Sequence, residues 1–217
     1  GGSVWTKEEL KKIGDLCVKN NVIILSDDIH ADLVFKEFRY TPIASLSNEI
    51  ADITVTFIAP SKTFNLAALA TSSIICSNKE LKDRYDKVVD TIHVGMGNVF
   101  GTEASIAAYK YGDEWLDQLM EYLSGNLDYL ENYLNVNIPQ IKMIRPEGTY
   151  LVWLDCSGLE LSDEKLKDFI INKAGLGLNI GTMFGSGGNG FARMNVACPR
   201  QTIEDALIQL NKAVSKI

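Results

Sequence analysis

The strongest constraint on the fold is a pair of unlike patterns set end to end near the start of the chain. Thr6-Lys7-Glu8-Glu9 puts a hydroxyl at an N-cap and a carboxylate three residues later, the reciprocal arrangement that satisfies two orphan backbone donors of a first helical turn. Apolar residues then recur at helical spacing through Leu10, Ile13, Leu16 and Cys17, which predicts a helix to about Lys19. Directly afterwards Val22-Ile23-Ile24-Leu25 forms a short unbroken apolar run closed by Ser26-Asp27-Asp28, the pattern of a buried strand of parallel type. A helix feeding such a strand implies an α/β layer structure.

The rest of the chain extends that reading. β-branched runs bounded by polar or turn residues predict buried strands at Ile53 to Ile58 and Thr71 to Cys76. Asn78 can cap a helix through Val89, and from about Phe100 helical spacing continues to Leu134, with Gly112 and Gly125 as expected bends. Pro139 and the Arg145-Pro146-Glu147-Gly148 turn end that pattern. Beyond it, Ile141 to Ile144, Tyr150 to Leu154, Leu178 to Ile180 and Phe191 to Val196 read as strands. Helices are expected from Ser162–Glu164 to about Lys173 and from Thr202 to Val214. The predicted domains are residues 1–136 and a smaller α+β domain, 137–217.

Composition matters mainly for what it excludes. A net charge of −7, with Lys and Arg scattered singly, argues against binding nucleic acid or an anionic membrane surface and favours small-molecule chemistry. No run approaches the roughly 18 to 20 apolar residues of a membrane span, and the start lacks the layout of a signal peptide, so the cytoplasm is the expected location. Cys17, Cys76, Cys156 and Cys198 lie far apart in apolar stretches, without a CxxC pair or a histidine at ligand spacing. They are expected to be reduced and mostly buried, with no metal site. The chain opens on Gly1-Gly2-Ser3 without a Met and runs at once into a helix signal, as a piece of a longer protein would.

Four positions could carry chemistry. Asp27 ends a predicted strand, at the sheet edge where α/β proteins bind ligands, although on spacing alone the commoner reading of Asp27 and Asp28 is a cap or turn. Lys62, in Ser61-Lys62-Thr63, follows a predicted strand among apolar residues; desolvation there would lower its pKa and free the amine as a nucleophile. A surface lysine at a strand end is the commoner reading in isolation. Arg193, in the alternating stretch 191–196, suits either a cross-strand ion pair or bidentate capture of a substrate carboxylate. His30 lies three residues after Asp27, so both could reach one bound ring if the segment curls as a turn; with His93 the only other histidine, the sequence argues against a His-based hydrolytic triad. The glycine-rich Gly185 to Gly190 segment lacks a nucleotide-binding fingerprint and reads as a flexible turn.

Taken together, Ser26-Asp27-Asp28-Ile29-His30-Ala31-Asp32, Ala59-Pro60-Ser61-Lys62-Thr63-Phe64-Asn65-Leu66-Ala67 and Arg193-Met194-Asn195-Val196-Ala197-Cys198-Pro199-Arg200 resemble the class I/II aminotransferase superfamily. More narrowly they are similar to its cystathionine β-lyase branch. Val4-Trp5-Thr6, Glu114-Trp115-Leu116-Asp117 and the run from Arg145 to Asp155 extend the resemblance over essentially the whole chain, in the family's order. It implies a pyridoxal 5′-phosphate (PLP) enzyme of fold type I, represented here by an incomplete large domain and the small C-terminal domain.

The resemblance also implies roles. Lys62 would hold PLP as an imine and serve as base toward the substrate α-proton, Asp27 would partner the pyridine nitrogen, and Arg193 would clamp the substrate α-carboxylate. His30 stands where many relatives carry a Tyr that hydrogen-bonds the cofactor's phenolic oxygen, Ser61 would help to bind phosphate, and Tyr150 and Asn179 would line the substrate side. Asp28 stands where Glu is usual, Ala68 where the branch has Gly, and Ile180 where Asp is common. The family's N-terminal arm, its phosphate loop, its ring-stacking aromatic and the Asn of its NPxG motif have no counterpart in the sequence. The implied activity is carbon–sulfur β-elimination giving pyruvate, ammonia and a thiol, with transamination as the alternative and partner binding as a third reading; a homodimer is implied for the intact protein.

Overall fold

A computed structural model describes residues 2–95 and 97–217. Gly1, at the head of the opening segment singled out above, lies outside the described residues. The chain forms two compact units, residues 4–118 and residues 119–217 joined by 2–3.

In the first unit the capping box forms as read. The Thr6 hydroxyl accepts from the Glu9 N–H, the Glu9 carboxylate accepts from the Thr6 N–H at 2.9 Å, and helix α1 runs Lys7–Lys19. A three-stranded sheet follows in the order β1 (Ile24–Asp27), β2 (Thr54–Ile58), β3 (Ser73–Cys76). β1 and β2 are parallel, joined through the short helix α2 (Asn48–Asp52), whereas β3 is antiparallel to β2. β1 starts two residues later than the apolar run. Nor are β1 and β3 buried as expected: Leu25 is 69% and Ile75 55% exposed. α2 and the turn before it pack on the Thr54–Thr56 side, and an apolar residue is buried only where another element covers its face. Helix α3 (Pro60–Thr63) carries the lysine turn, α4 (Lys79–Ile92) is capped by Asn78 Oδ1, and α5 (Val99–Tyr111) ends at Gly112.

Helix α6 (Asp113–Asn137) runs unbroken through Gly125, so only Gly112 interrupts the helical stretch. Glycine at 125 answers to close packing instead, since a Cβ there would lie 3.2 Å from the Arg200 guanidinium. The second unit holds a four-stranded antiparallel sheet in the order β4 (Lys142–Ile144), β5 (Leu151–Asp155), β7 (Phe191–Asn195), β6 (Asn179–Ile180). Helix α7 (Asp163–Asp168) widens into a π-turn at Phe169–Lys173, and α8 (Arg200–Val214) closes the unit. The core takes Val152 and Leu154 from β5, Ala192 and Met194 from β7, and one stripe of each long helix, such as Leu127 and Leu134 or Leu207 and Leu210. Of the four cysteines only Cys156 is buried; Cys17, Cys76 and Cys198 are half-exposed, which corrects the expectation of mostly buried thiols. Among the described residues no helix is long and apolar enough to cross a membrane, and no three His, Cys, Asp or Glu side chains cluster as metal ligands.

Candidate active site

Asp27 and Asp28 are neighbours with opposite fates. Successive strand residues point to opposite sheet faces, so Ser26 and Asp28 share one side while Asp27 faces the other with Leu25. Asp28 is fully engaged: its carboxylate accepts from Ser26 Oγ at 2.8 Å and Tyr40 Oη at 2.5 Å, and its N–H donates to the Phe57 carbonyl at 2.9 Å. Asp27 is exposed, and its carboxylate makes no hydrogen bond or ion pair among the described residues. The cap-or-turn reading thus fits Asp28 and not Asp27. The segment beyond does curl, with the Ala31 N–H donating to the Asp28 carbonyl at 3.0 Å, which places the half-buried His30 in a turn right after Asp27.

The lysine turn has equally local causes. Ala59 is extended, and Pro60 enters the first helical position, where its fixed φ and missing N–H carry no cost. α3 then lasts a single turn: Phe64 N–H donates to Pro60 O at 2.8 Å, Leu66 N–H to Ser61 O at 3.1 Å, and Asn65 takes a left-handed φ of 56°. Ser61 and Lys62 are half-buried, and their side chains form no hydrogen bond or ion pair among the described residues. Phe64 walls the turn, its ring centroid 5.7 Å from those of both Tyr109 and Trp115. Gly112 permits that approach, because a Cβ there would lie 2.4 Å from the Phe64 ring.

A cavity of about 440 Å³ opens on the Asp28 side, lined by Asp28, Asp32, Tyr40, Thr56 and Tyr109 among others; Asp27, His30, Ser61 and Lys62 are not in its wall. Burial, the hydrogen bond to Asp28 and the charges of Asp28 and Asp32 hold the Tyr40 phenol far above its usual pKa, which keeps it a proton donor. Burial and Asp32 do the same to Tyr109 more weakly.

In the second unit, β7 alternates between the core residues Ala192 and Met194 and the opposite face, which carries Phe191, Arg193 and Asn195. Arg193 is cross-strand from Trp153 on one side and Asn179 on the other. Its Nη2 donates to Asn179 Oδ1 at 3.2 Å, and its guanidinium lies 4.4 Å from the Phe184 ring centroid, a cation–π contact. Phe184 and Phe191 meet Trp153 edge-on at 5.3 and 6.2 Å, fixing the platform. Arg193 has no carboxylate partner among the described residues, and its Nε is buried without an acceptor. The cross-strand ion-pair reading is thereby set aside. A guanidinium held by Asn179 and Phe184, with a buried Nε that has no acceptor among the described residues, could take a planar carboxylate. Tyr150 is half-buried just before β5; its carbonyl accepts from Val196 N–H at 3.0 Å, and burial raises its phenol pKa.

Asp27, His30, Ser61 and Lys62 therefore belong to one unit, and Arg193, Asn179 and Tyr150 to the other. Sequence reasoning missed Phe184 and Trp153 as the arginine's platform, since the β5–β7 register that brings them together is not local. It also missed Tyr40, twelve residues from the Asp28 it holds.

Residues 4–118 thus present a lysine in a turn after one strand and a carboxylate ending its neighbour, and residues 119–217 present an arginine with no carboxylate partner among the described residues. Comparison with known proteins makes this specific. The model of the aminotransferase class I and II family matches residues 1–210, and the chain belongs to that family. It is 40% identical over 214 residues to cystathionine beta-lyase PatB of Bacillus subtilis and 33% identical over 217 residues to protein MalY of Escherichia coli. These alignments cover 99% and 100% of the chain but 55% of each relative, so the chain spans about half the length of the curated relatives it matches. Among solved structures, cystalysin from Treponema denticola, which contains a pyridoxal 5′-phosphate cofactor, superposes with a TM-score of 0.96 at 37% identity, covering 99% of this chain and 55% of that one. The PLP-bound C-S lyase from Staphylococcus hominis gives 0.87 at 32% identity, with 99% and 56% covered.

Proposed function

We propose that this chain carries the lysine, the ring-nitrogen partner and the carboxylate clamp of a PLP-dependent carbon–sulfur β-lyase of the cystathionine β-lyase type. The observation that carries the reading is the contrast within the first unit. Asp28 and Thr63 have hydrogen-bond partners, whereas Asp27, Ser61 and Lys62 offer a carboxylate, a hydroxyl and an amine with none among the described residues. That donor set fits PLP: an amine for its aldehyde, an anion for its pyridinium, a hydroxyl for its phosphate.

When bound, PLP supplies the electron sink that lets a proton leave the substrate α-carbon. The Asp27 carboxylate keeps the ring nitrogen protonated, and His30 is the partner assigned to the phenolic oxygen. The Lys62 amine would hold the cofactor and, once free, would be the base placed to take the α-proton. Arg193 fixes the α-carboxylate with its open donors, and Asn179 and Tyr150 complete the substrate side. A cysteine-derived substrate would lose its β-sulfur as a thiol, and water would hydrolyse the remaining three-carbon imine to pyruvate and ammonia. The same residues serve transamination; the names of the two relatives' enzymes, a cystathionine beta-lyase and a C-S lyase, favour elimination. We further assign residues 1–136 to the large PLP-binding domain and 137–217 to the small domain, and expect a cytoplasmic homodimer acting on amino acids.

The test is pyruvate release from cystathionine by the intact protein carrying this chain, with keto-acid-dependent transamination assayed alongside. The proposal expects elimination to dominate, Lys62→Ala to abolish it, and Arg193→Ala to raise KM by about 100-fold, the loss of a charged bidentate contact. Pyruvate release that survives Lys62→Ala would overturn the assignment of Lys62, whereas a cellular role that survives the loss of that activity would leave partner binding as the reading.

A further inference from the structure

The lysine turn cannot position itself. α3 spans four residues, and one helical turn recovers too little hydrogen bonding to offset the entropy of ordering it. Its last residue supplies a tether instead. Thr63 is fully buried, and its hydroxyl donates to Asp32 Oδ2 at 2.8 Å, a contact made across 31 residues of sequence. A buried hydroxyl bonded to an ionised carboxylate is among the stronger side-chain hydrogen bonds, and its loss leaves the donor without an acceptor.

The other end of the tether is equally fixed. Asp32 closes the turn that begins at Asp27: Ala31 N–H donates to Asp28 O, Leu33 N–H donates to His30 O, and Leu33 is completely buried beside it. Asp28 is itself pinned by Ser26 and Tyr40. The carboxylate of Asp32 stands on the cavity wall near Tyr40 and Tyr109, whose phenols it helps to keep protonated. One hydrogen bond thus links the segment bearing Asp27 and His30 to the segment bearing Ser61 and Lys62.

We propose that Asp32 is a positioning residue for Lys62: through the Thr63 hydroxyl it holds the lysine turn in register with the turn that follows Asp27. The inference rests on the reading of Lys62 as the PLP-bearing residue, but it concerns this chain's own geometry and can be tested without the cofactor.

Hydrogen–deuterium exchange of the full chain, read on peptides covering residues 59–66 and normalised to peptides covering 151–155, measures the tether directly. Asp32→Ala and Thr63→Val are expected to speed exchange in 59–66 about tenfold, the yield of one charge-assisted hydrogen bond, with 151–155 unchanged. Thr63→Ser, which keeps the hydroxyl, restores the wild-type rate. In protein loaded with PLP, the pH midpoint of the visible cofactor band shifts in Asp32→Ala and Thr63→Val and returns in Thr63→Ser. Unchanged exchange in 59–66 in both disrupting variants overturns the proposal, as does an accelerated Thr63→Ser. Failure of wild-type protein to form a PLP adduct on Lys62 would sink the functional reading while leaving the exchange result to decide the tether.

Discussion

The two units of this chain bury their apolar residues to very different extents. Of 27 buried hydrophobic residues among those described, 22 lie in residues 119–217 and five, Leu33, Phe35, Ile43, Ile50 and Ala59, in residues 4–118. The first unit instead exposes large apolar side chains along α4 and α5, such as Tyr85, Val88, Ile92 and Phe100, besides Leu25 on its sheet. Burial of apolar area is the main favourable term in folding, so the arginine unit carries its own core while the lysine unit presents apolar surface to whatever packs on it. The lesson extends to chemistry. In the unit with the thinner core, side-chain hydrogen bonds from Thr63 to Asp32 and from Tyr40 to Asp28 join the segments around Lys62 and Asp27 to their surroundings.

The comparison breaks most directly by mutation. Leu127→Ala, at a fully buried α6 position, is expected to cost about 2–5 kcal/mol in denaturant unfolding, the penalty of a cavity in a closed core. Leu25→Ala, at a position already 69% in water, should cost under about 0.5 kcal/mol. Equal costs would show that the two cores do not differ as described.

A smaller effect sharpens the picture of the arginine unit. Burial, aided by the Asp155 charge, pushes the Cys156 thiol from 9.0 up to about 12. Above pH 9 the unfolded thiol ionises while the folded one stays protonated, so the unfolded state gains. The stability that Cys156 contributes is complete below pH 9 and is lost as pH rises toward about 12, by at most about 1.4 kcal/mol per pH unit. Unfolding curves from pH 8 to 10 should show that decline, weakened in Cys156→Ala; an identical decline in the variant would refute it.

Local signals were legible in the sequence where local physics decides. The Thr6–Glu9 capping box, the Asn78 cap and the Gly112 break each depend on a few neighbouring residues, and each stands where the sequence puts it. Gly125 was misread because its reason is Arg200, distant in sequence. The π-turn at Phe169–Lys173 leaves no mark in an apolar pattern that any helix would share. Burial of β1 and β3 was overstated because an apolar run records what a strand could bury, not which faces are covered. At the site, residue types and motif order pointed to Lys62, Asp27 and Arg193. Only the pairing of β5, β7 and β6 reveals the aromatic platform and the Asn179 contact that leave the guanidinium open.

The central claim is that Lys62 is the residue that takes up PLP. Borohydride reduction after incubation with PLP, followed by mass spectrometry of the peptide containing Lys62, measures it directly. The account predicts a pyridoxyl adduct on Lys62 that is absent from Lys62→Ala; an adduct spread over other lysines, or none on Lys62 in the intact protein, would contradict it.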